Sequence, residues 1–473
     1  MAVSLKERKI RQDFSVIEHL KEVGKITQAT NTVETTSISK GYQIRDLSEI
    51  VKIVQDELKA YESGTEDEQD EHKEAIHEAG LGNPVAQEKI KAIIKKIINE
   101  KRLHATSGQL LDSMSLADAV FALSIGAGLI EDLYRSKDVE EVQVNDTSIY
   151  VMKDGVAQLH PRRFETTEQV IRLQERLALY GRKRISEQNP IVSTNMWNRS
   201  RLTMTQPNYS AFPTITIRNF IMKDPSLDTL IEKGTINKDM SELLKLMVKY
   251  HASMIVAGPT KSGKTTTLYS LAKEIDPTER VLTLETEFEM MLHERLEGNR
   301  NIIPFQAVPE LGITMEEAFK PLLRNSPDRI LVGEIRGSEA SQAVNAALRG
   351  HDTMITVHSK YRNMLVTDMM DMIKQDGRSH DDTMLKNRIG RAFNVVVYQR
   401  LVKENEYQAR RVMTEITEIR PLENGDIETV PLFIWNARTN EWEKTGNKVS
   451  DELMEHFISY GATPAEFEKL GVY

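Results

Sequence analysis

Residues 258–265 read Gly-Pro-Thr-Lys-Ser-Gly-Lys-Thr, a glycine-rich turn with the spacing G-x-x-x-x-G-K-[ST]. Each residue type there has a reason in phosphate chemistry. Gly258 and Gly263 let the backbone turn its N–H groups onto phosphate oxygens with no Cβ in the way. Lys264 sets a point charge against the β- and γ-phosphates, and Thr265 offers a hydroxyl to Mg²⁺. Pro259, Thr260, Lys261, Ser262 and Thr266 complete the loop and the first helical turn, where the helix dipole favours an anion. ATP and Mg²⁺ are the cofactors this pattern calls for. An accidental glycine-rich turn is the competing reading, and the flanks oppose it. Met254-Ile255-Val256-Ala257 leads in like a buried strand, and Thr265–Ile275 leads out with helical spacing.

Two acids end apolar runs. Arg329-Ile330-Leu331-Val332-Gly333-Glu334 reads as a buried strand whose last residue reaches the phosphates, so Glu334 is the candidate to orient the attacking water. Glu285 closes Val281-Leu282-Thr283-Leu284 and is assigned a metal or water role, with Mg²⁺ bound through water; Glu287 and Glu289 are lesser candidates. His351 and His358 bracket a run of six residues. A strand would hold them about 23 Å apart, which rules out one shared metal. His358 falls at the carboxyl end, beside the phosphates, where a structural role competes with sensing the γ-phosphate. Arg201 and Arg218 sit on two separate strands upstream. Arginines on a neighbouring domain suit neutralisation of phosphate charge.

The elements that position these groups follow from periodicity. Residues 230–400 alternate apolar strands (253–257, 281–285, 329–333, 353–357) with helices (265–275, 314–324, 339–349). That alternation predicts a parallel sheet wrapped by helices, with ligands at the carboxyl ends of its strands. Residues 126–222 predict a small α+β domain: strands at 139–144, 148–151, 201–205 and 214–218, a Lys153-Asp154-Gly155 turn, and a helix near Thr167–Tyr180. Residues 1–125 predict a helical region in which Ile90, Ile93, Ile94, Ile97 and Ile98 share one face, read as the core side of a small bundle. The acids between Glu57 and Glu74 read as a solvated face. Asp224-Pro225-Ser226 reads as the start of a linker to residues 223–473, and the last 70 residues carry a few strands, notably Arg411–Ile419, and a closing helix.

Composition narrows the class. A chain of 473 residues exceeds one core, so two or three domains are expected. The net charge of −9 argues against a dedicated nucleic-acid binder. There is no cysteine, which excludes disulfides, thiolate zinc sites and a cysteine nucleophile. No apolar run reaches the roughly 18 residues of a membrane span, and the first residues lack the apolar stretch of a signal peptide. A cytoplasmic protein is expected.

Together these segments resemble the secretion ATPase superfamily of type II secretion, type IV pilus, archaeal flagellar and type IV secretion machines. The matching boxes are Gly258–Thr265 (Walker A), Val281–Glu287 (Asp box), Arg329–Ala340 (atypical Walker B) and Gly350–His358 (His box). Val139–Asn145, Lys153–Gly155, Asn198–Arg201 and Pro213–Phe220 look like the tight-adherence (Tad) pilus and conjugation branch. The resemblance covers about residues 110–473. It implies a RecA-like P-loop domain preceded by a small α+β, PAS-like domain, and a homo-hexamer peripheral to the membrane, docked on a membrane platform protein. In that family Arg201 and Arg218 reach the γ-phosphate when the domains close over a hinge after Phe220, and Arg336 lies near the site. Three departures stand out: Thr286 where Asp is usual, Lys261 where Gly is common, and no four-cysteine zinc motif. The expected function is an ATP-hydrolysing motor for pilus assembly or secretion. A DNA-translocating motor and a nucleotide-switched scaffold are the alternatives.

Overall fold

The computed structural model describes residues 42–60, 66–219 and 224–473, which fall into two compact units. One unit runs to Asn219 without the segment Met152–Gln158; the other takes that segment together with Phe220–Tyr473.

The first unit contains two cores. Helices Leu47–Lys59, Glu66–Gly80, Pro84–Glu100 and Leu116–Ser124 surround the first. Asn83 starts the third of these helices by accepting from the Val85 and Ala86 N–H groups, with Pro84 pre-set in the first turn. Ile90, Ile94 and Ile98 are buried and Ile93 and Ile97 pack beside them, as the isoleucine spacing predicts. The second core lies under a six-stranded sheet, in the order Val156–Arg163, Ser148–Lys153, Glu141–Asn145, Thr214–Arg218, Arg201–Thr205, Ile191–Asn195. Val142, Val144, Leu202, Met204, Ile215 and Ile217 alternate inward against Val170, Leu173 and Leu177 of helix Thr167–Ala178. Sequence periodicity misses the two edge strands, because neither buries a full face and Val156–Arg163 is almost entirely solvated.

The second unit is built on one nine-stranded sheet. Its order is Ile302–Gln306, Val281–Glu285, Arg329–Ile335, Asp352–His358, Met254–Gly258, Val395–Lys403, Ala409–Pro421, Ile427–Asn436, Glu441–Lys444. The first six strands are parallel and the last three antiparallel, so the predicted parallel sheet continues into a meander. The central strands are apolar at every position because both faces are covered. Met254 and Val256 join one core while Ile255 and Ala257 join the other. Residues 223–473 close with two helices, Asp451–Ser459 and Pro464–Glu468, whose Phe457 and Phe467 rings stack 5.1 Å apart.

The start of the expected hinge, Phe220 and the three residues after it, lies outside the described residues. Asp224 is not free linker: it accepts from Lys273 at 2.7 Å and from the Tyr269 hydroxyl, both on the helix after the P-loop. Ser226 then opens helix Leu227–Glu232 through a reciprocal bond with Thr229.

Candidate nucleotide site

The P-loop lies between a fully buried strand, Met254–Gly258, and helix Lys264–Lys273. Gly263 caps that helix with φ 90°, and Lys261 holds φ 64°, a left-handed conformation that a non-glycine residue adopts at a cost. Gly258 is required for space. A Cβ there would lie 2.2 Å from the Gln399 carbonyl oxygen and 2.8 Å from Ser262 Oγ. Backbone cannot give way as a side chain can, so Gly258→Ala is expected to cost about 1–3 kcal/mol by overpacking. It should also weaken nucleotide binding, as denaturant melts and calorimetric titration would record.

Lys264 is buried and donates to the Gly258 and Pro259 carbonyls at 3.1 Å each. Its third neighbour is His358 Nδ1, at 3.2 Å. An ammonium has no acceptor, so this contact requires a lone pair on Nδ1 and leaves the ring proton on Nε2. That nitrogen lies 2.7 Å from Glu334 Oε1, where its N–H faces the carboxylate and favours the anion. Arg336 Nη2 donates to Glu334 Oε2 at 2.6 Å. Lys264, His358, Glu334 and Arg336 thus form one continuous run from the P-loop to the strand-end acid. Burial pushes the Glu334 carboxyl up, but His358 and Arg336 outweigh it and hold the pKa at about 2. Glu334 is therefore an ionised acceptor at neutral pH.

A bulge aims Glu334. Val332 pairs with Ile355 and Ile335 with Val357, which leaves one extra residue on the Glu334 strand. The Thr356 hydroxyl donates to the Gly333 carbonyl and pins the bulge. Bulges of this kind redirect a side chain beside a site. Downstream, Glu339 accepts from the Arg336 and Gly337 N–H groups and fixes the turn that carries Arg336.

Glu285 has a different environment. It is buried, and Oε2 accepts from the Glu289 and Met290 N–H groups while Oε1 has no hydrogen-bond partner. Gly333 makes room for it: a Cβ on Gly333 would lie 2.9 Å from Glu285 Cγ. Burial raises its pKa to about 7 against the pull of the two N–H bonds. The two carboxylates are thus pushed apart, one fixed as an anion and one able to exchange its proton near neutrality. A carboxyl raised in the folded chain binds more protons folded than unfolded. Its contribution to stability is complete below 4.5 and is lost as pH rises through about 7. Between about pH 5 and pH 8 without Mg²⁺, the melting temperature should fall more steeply in the wild type than in Glu285→Gln.

The other sequence-predicted residues occupy graded positions. Pro259, Thr265 and Thr266 are half-buried, and Thr260 is exposed. Ser262 is buried, its Oγ without a hydrogen-bond partner. Among the described residues, no group of three or more His, Asp or Glu side chains is placed to hold a metal ion. The donors present fit a metal held jointly with phosphate: the Thr265 hydroxyl, and the unpartnered Oε1 of Glu285, which burial otherwise penalises. His351 is a structural residue whose Nδ1 meets the Pro327 carbonyl at the opposite end of its strand. Arg201 and Arg218, in the first unit, are direct cross-strand partners in the row Glu141–Arg218–Arg201–Asn195.

Sequence reasoning missed two residues that touch the loop. Gln399 is fully buried and accepts from Thr267 Oγ1 at 2.8 Å; Arg411 donates from Nε to the Lys261 carbonyl at 3.2 Å. The apolar run Val395-Val396-Val397-Tyr398 was the available signal for a strand beside the P-loop.

A family model described as type II/IV secretion system protein matches residues 126–449. An uncharacterised protein of Methanocaldococcus jannaschii is 27% identical over 344 residues, which covers 70% of this chain and 59% of that protein. Type II secretion system protein E of Xanthomonas campestris is 28% identical over 262 residues, covering 53% of this chain and 42% of that protein. The chain thus spans about half the length of these curated relatives. The crystal structure of the Legionella pneumophila ATPase DotB superposes with a TM-score of 0.47 at 18% identity, over 72% of this chain and 85% of that one.

Proposed function

The chain belongs to the type II/IV secretion system protein family, and from that premise we propose that it is an ATP-hydrolysing motor of a pilus or secretion machine. The observation that carries the proposal is the Lys264–His358–Glu334–Arg336 run, which joins a phosphate-holding lysine to an ionised acceptor. Lys264 and the loop amides hold the phosphates. The Thr265 hydroxyl, with Glu285 through water, takes Mg²⁺, whose contribution is to neutralise developing charge on the phosphates. Glu334 orients the attacking water, and His358 ties that acceptor to the P-loop lysine. Arg201 and Arg218 supply the charge that closes over the γ-phosphate.

The working form proposed is a hexamer whose domains 1–125, 126–222 and 223–473 move with each turnover. It acts at the inner face of the cell membrane on a platform protein, in the tight-adherence and conjugation-type branch. None of the described helices is long and apolar enough to cross a membrane. The net charge of −9 supports a protein partner over DNA as the load.

The test is Mg²⁺-dependent ATP turnover of the purified protein across a concentration series. Specific activity that climbs with concentration supports shared sites in an oligomer. Binding of nucleotide with no turnover, with or without membranes carrying the platform, overturns the motor in favour of a nucleotide-switched scaffold.

A further inference from the structure

The three antiparallel strands have no part in the roles assigned above, yet one residue of the first of them, Arg411, presses on the P-loop. Val395–Lys403 lies beside the P-loop strand, and Ala409–Pro421 pairs with it so that Arg411 stands opposite Leu401. Arg411 Nε donates to the Lys261 carbonyl at 3.2 Å, and its Cδ lies 3.0 Å from where a Cβ on Gly263 would be. The arginine therefore lies along the outside of the loop.

The peptide plane gives that contact its consequence. In a trans peptide the C=O and the following N–H point in opposite directions. A donor that holds the Lys261 carbonyl outward therefore turns the Ser262 N–H inward, toward the phosphate nest. Turning the 261–262 peptide over would rotate ψ of Lys261 and φ of Ser262 and point the amide out, so an anchor on the Lys261 carbonyl selects between the two orientations.

We infer that Arg411 is a positioning residue of the phosphate nest, anchoring the 261–262 peptide in its phosphate-facing orientation. The inference rests on the nucleotide reading of the P-loop and adds a residue 150 positions away in sequence. It also gives the antiparallel extension a function: strain or movement there reaches the loop through one hydrogen bond.

Two variants separate the donor from the charge. Glutamine carries an N–H at the same reach along the side chain as arginine Nε, without the charge. Methionine keeps the packing and lacks the donor. Calorimetric titration with ADP and with ATP should show Arg411→Met weakened by about 10-fold, the worth of one hydrogen bond, and Arg411→Gln within about 3-fold of wild type. Because the peptide is held in ground and transition states alike, KM should rise with Kd while kcat falls by less than about 3-fold. Thermal melts of all three proteins check folding. If Arg411→Met fails to fold, Arg411→Lys replaces it, with the charge kept and a methylene at the donor position. An unshifted Kd in the donor-less variant overturns the anchoring role, as does an Arg411→Gln protein as weak as Arg411→Met. A wild-type protein that binds no nucleotide overturns the site itself, which is a different failure.

Discussion

Glu334→Gln is expected to lower ATP turnover by at least about 100-fold while leaving nucleotide binding within a few-fold of wild type. The amide matches the carboxylate in size, so the bulge at Gly333 and the strand pairing around it survive. What disappears is a full negative charge that His358 and Arg336 hold ionised far below neutral pH. An anion with a pKa of about 2 is a poor final resting place for a proton. Its strength lies in aligning a water molecule and opposing the charge of Lys264 and Arg336. The loss should therefore appear in kcat and leave KM nearly unchanged, and no acid limb from Glu334 should appear in the turnover profile above about pH 4. Stability gives an independent check. A depressed carboxyl contributes above its unfolded pKa of 4.5, and that contribution is lost as pH falls toward about 2. Wild type and Glu334→Gln should thus differ in melting temperature at neutral pH and converge in acid. Turnover indifferent to the substitution would remove Glu334 from the mechanism.

How much of this site the sequence discloses depends on how local each feature is. The P-loop is legible because its glycines, lysine and threonine act within eight residues, and its strand and helix flank them directly. Glu285 and Glu334 are legible as strand ends. Their opposite protonation states are not, because those depend on packing across strands. Gly333 on one strand makes room for Glu285 on the next, and His358 on a third turns Glu334 into a fixed anion. Arg411 and Gln399 are invisible for the same reason: their contacts with the loop span more than a hundred residues. The bulge that aims Glu334 needs one extra residue in a pairing register, and no periodicity of a single strand records that.

Register also gives Arg201 and Arg218 a meaning that spacing alone withheld. They are directly opposed on neighbouring antiparallel strands, with Glu141 across from Arg218 on its other side and Asn195 across from Arg201. Like charges in that position destabilise a sheet by about 0.2–1 kcal/mol, a cost that Glu141 offsets for Arg218 but not for Arg201. In the motor reading proposed above, a ligand that needs both charges offsets that cost. Arg201→Ala should keep or slightly raise the melting temperature, whereas Arg218→Ala also removes the charge across from Glu141 and should not gain; each should lower turnover by about 100-fold or more, the scale of an arginine acting on a transferring phosphoryl group. If they act on the γ-phosphate as proposed, ADP affinity should change little and ATP affinity should fall. The double variant should lose less than the product of the single losses, since both residues act on one charge. Single variants that melt lower and turn over normally would make the pair a structural feature of the sheet. Variants that lose ADP and ATP binding equally would place the arginines at the β-phosphate or the base. A stability gain joined to a turnover loss is the signature of residues kept for what they do to the ligand.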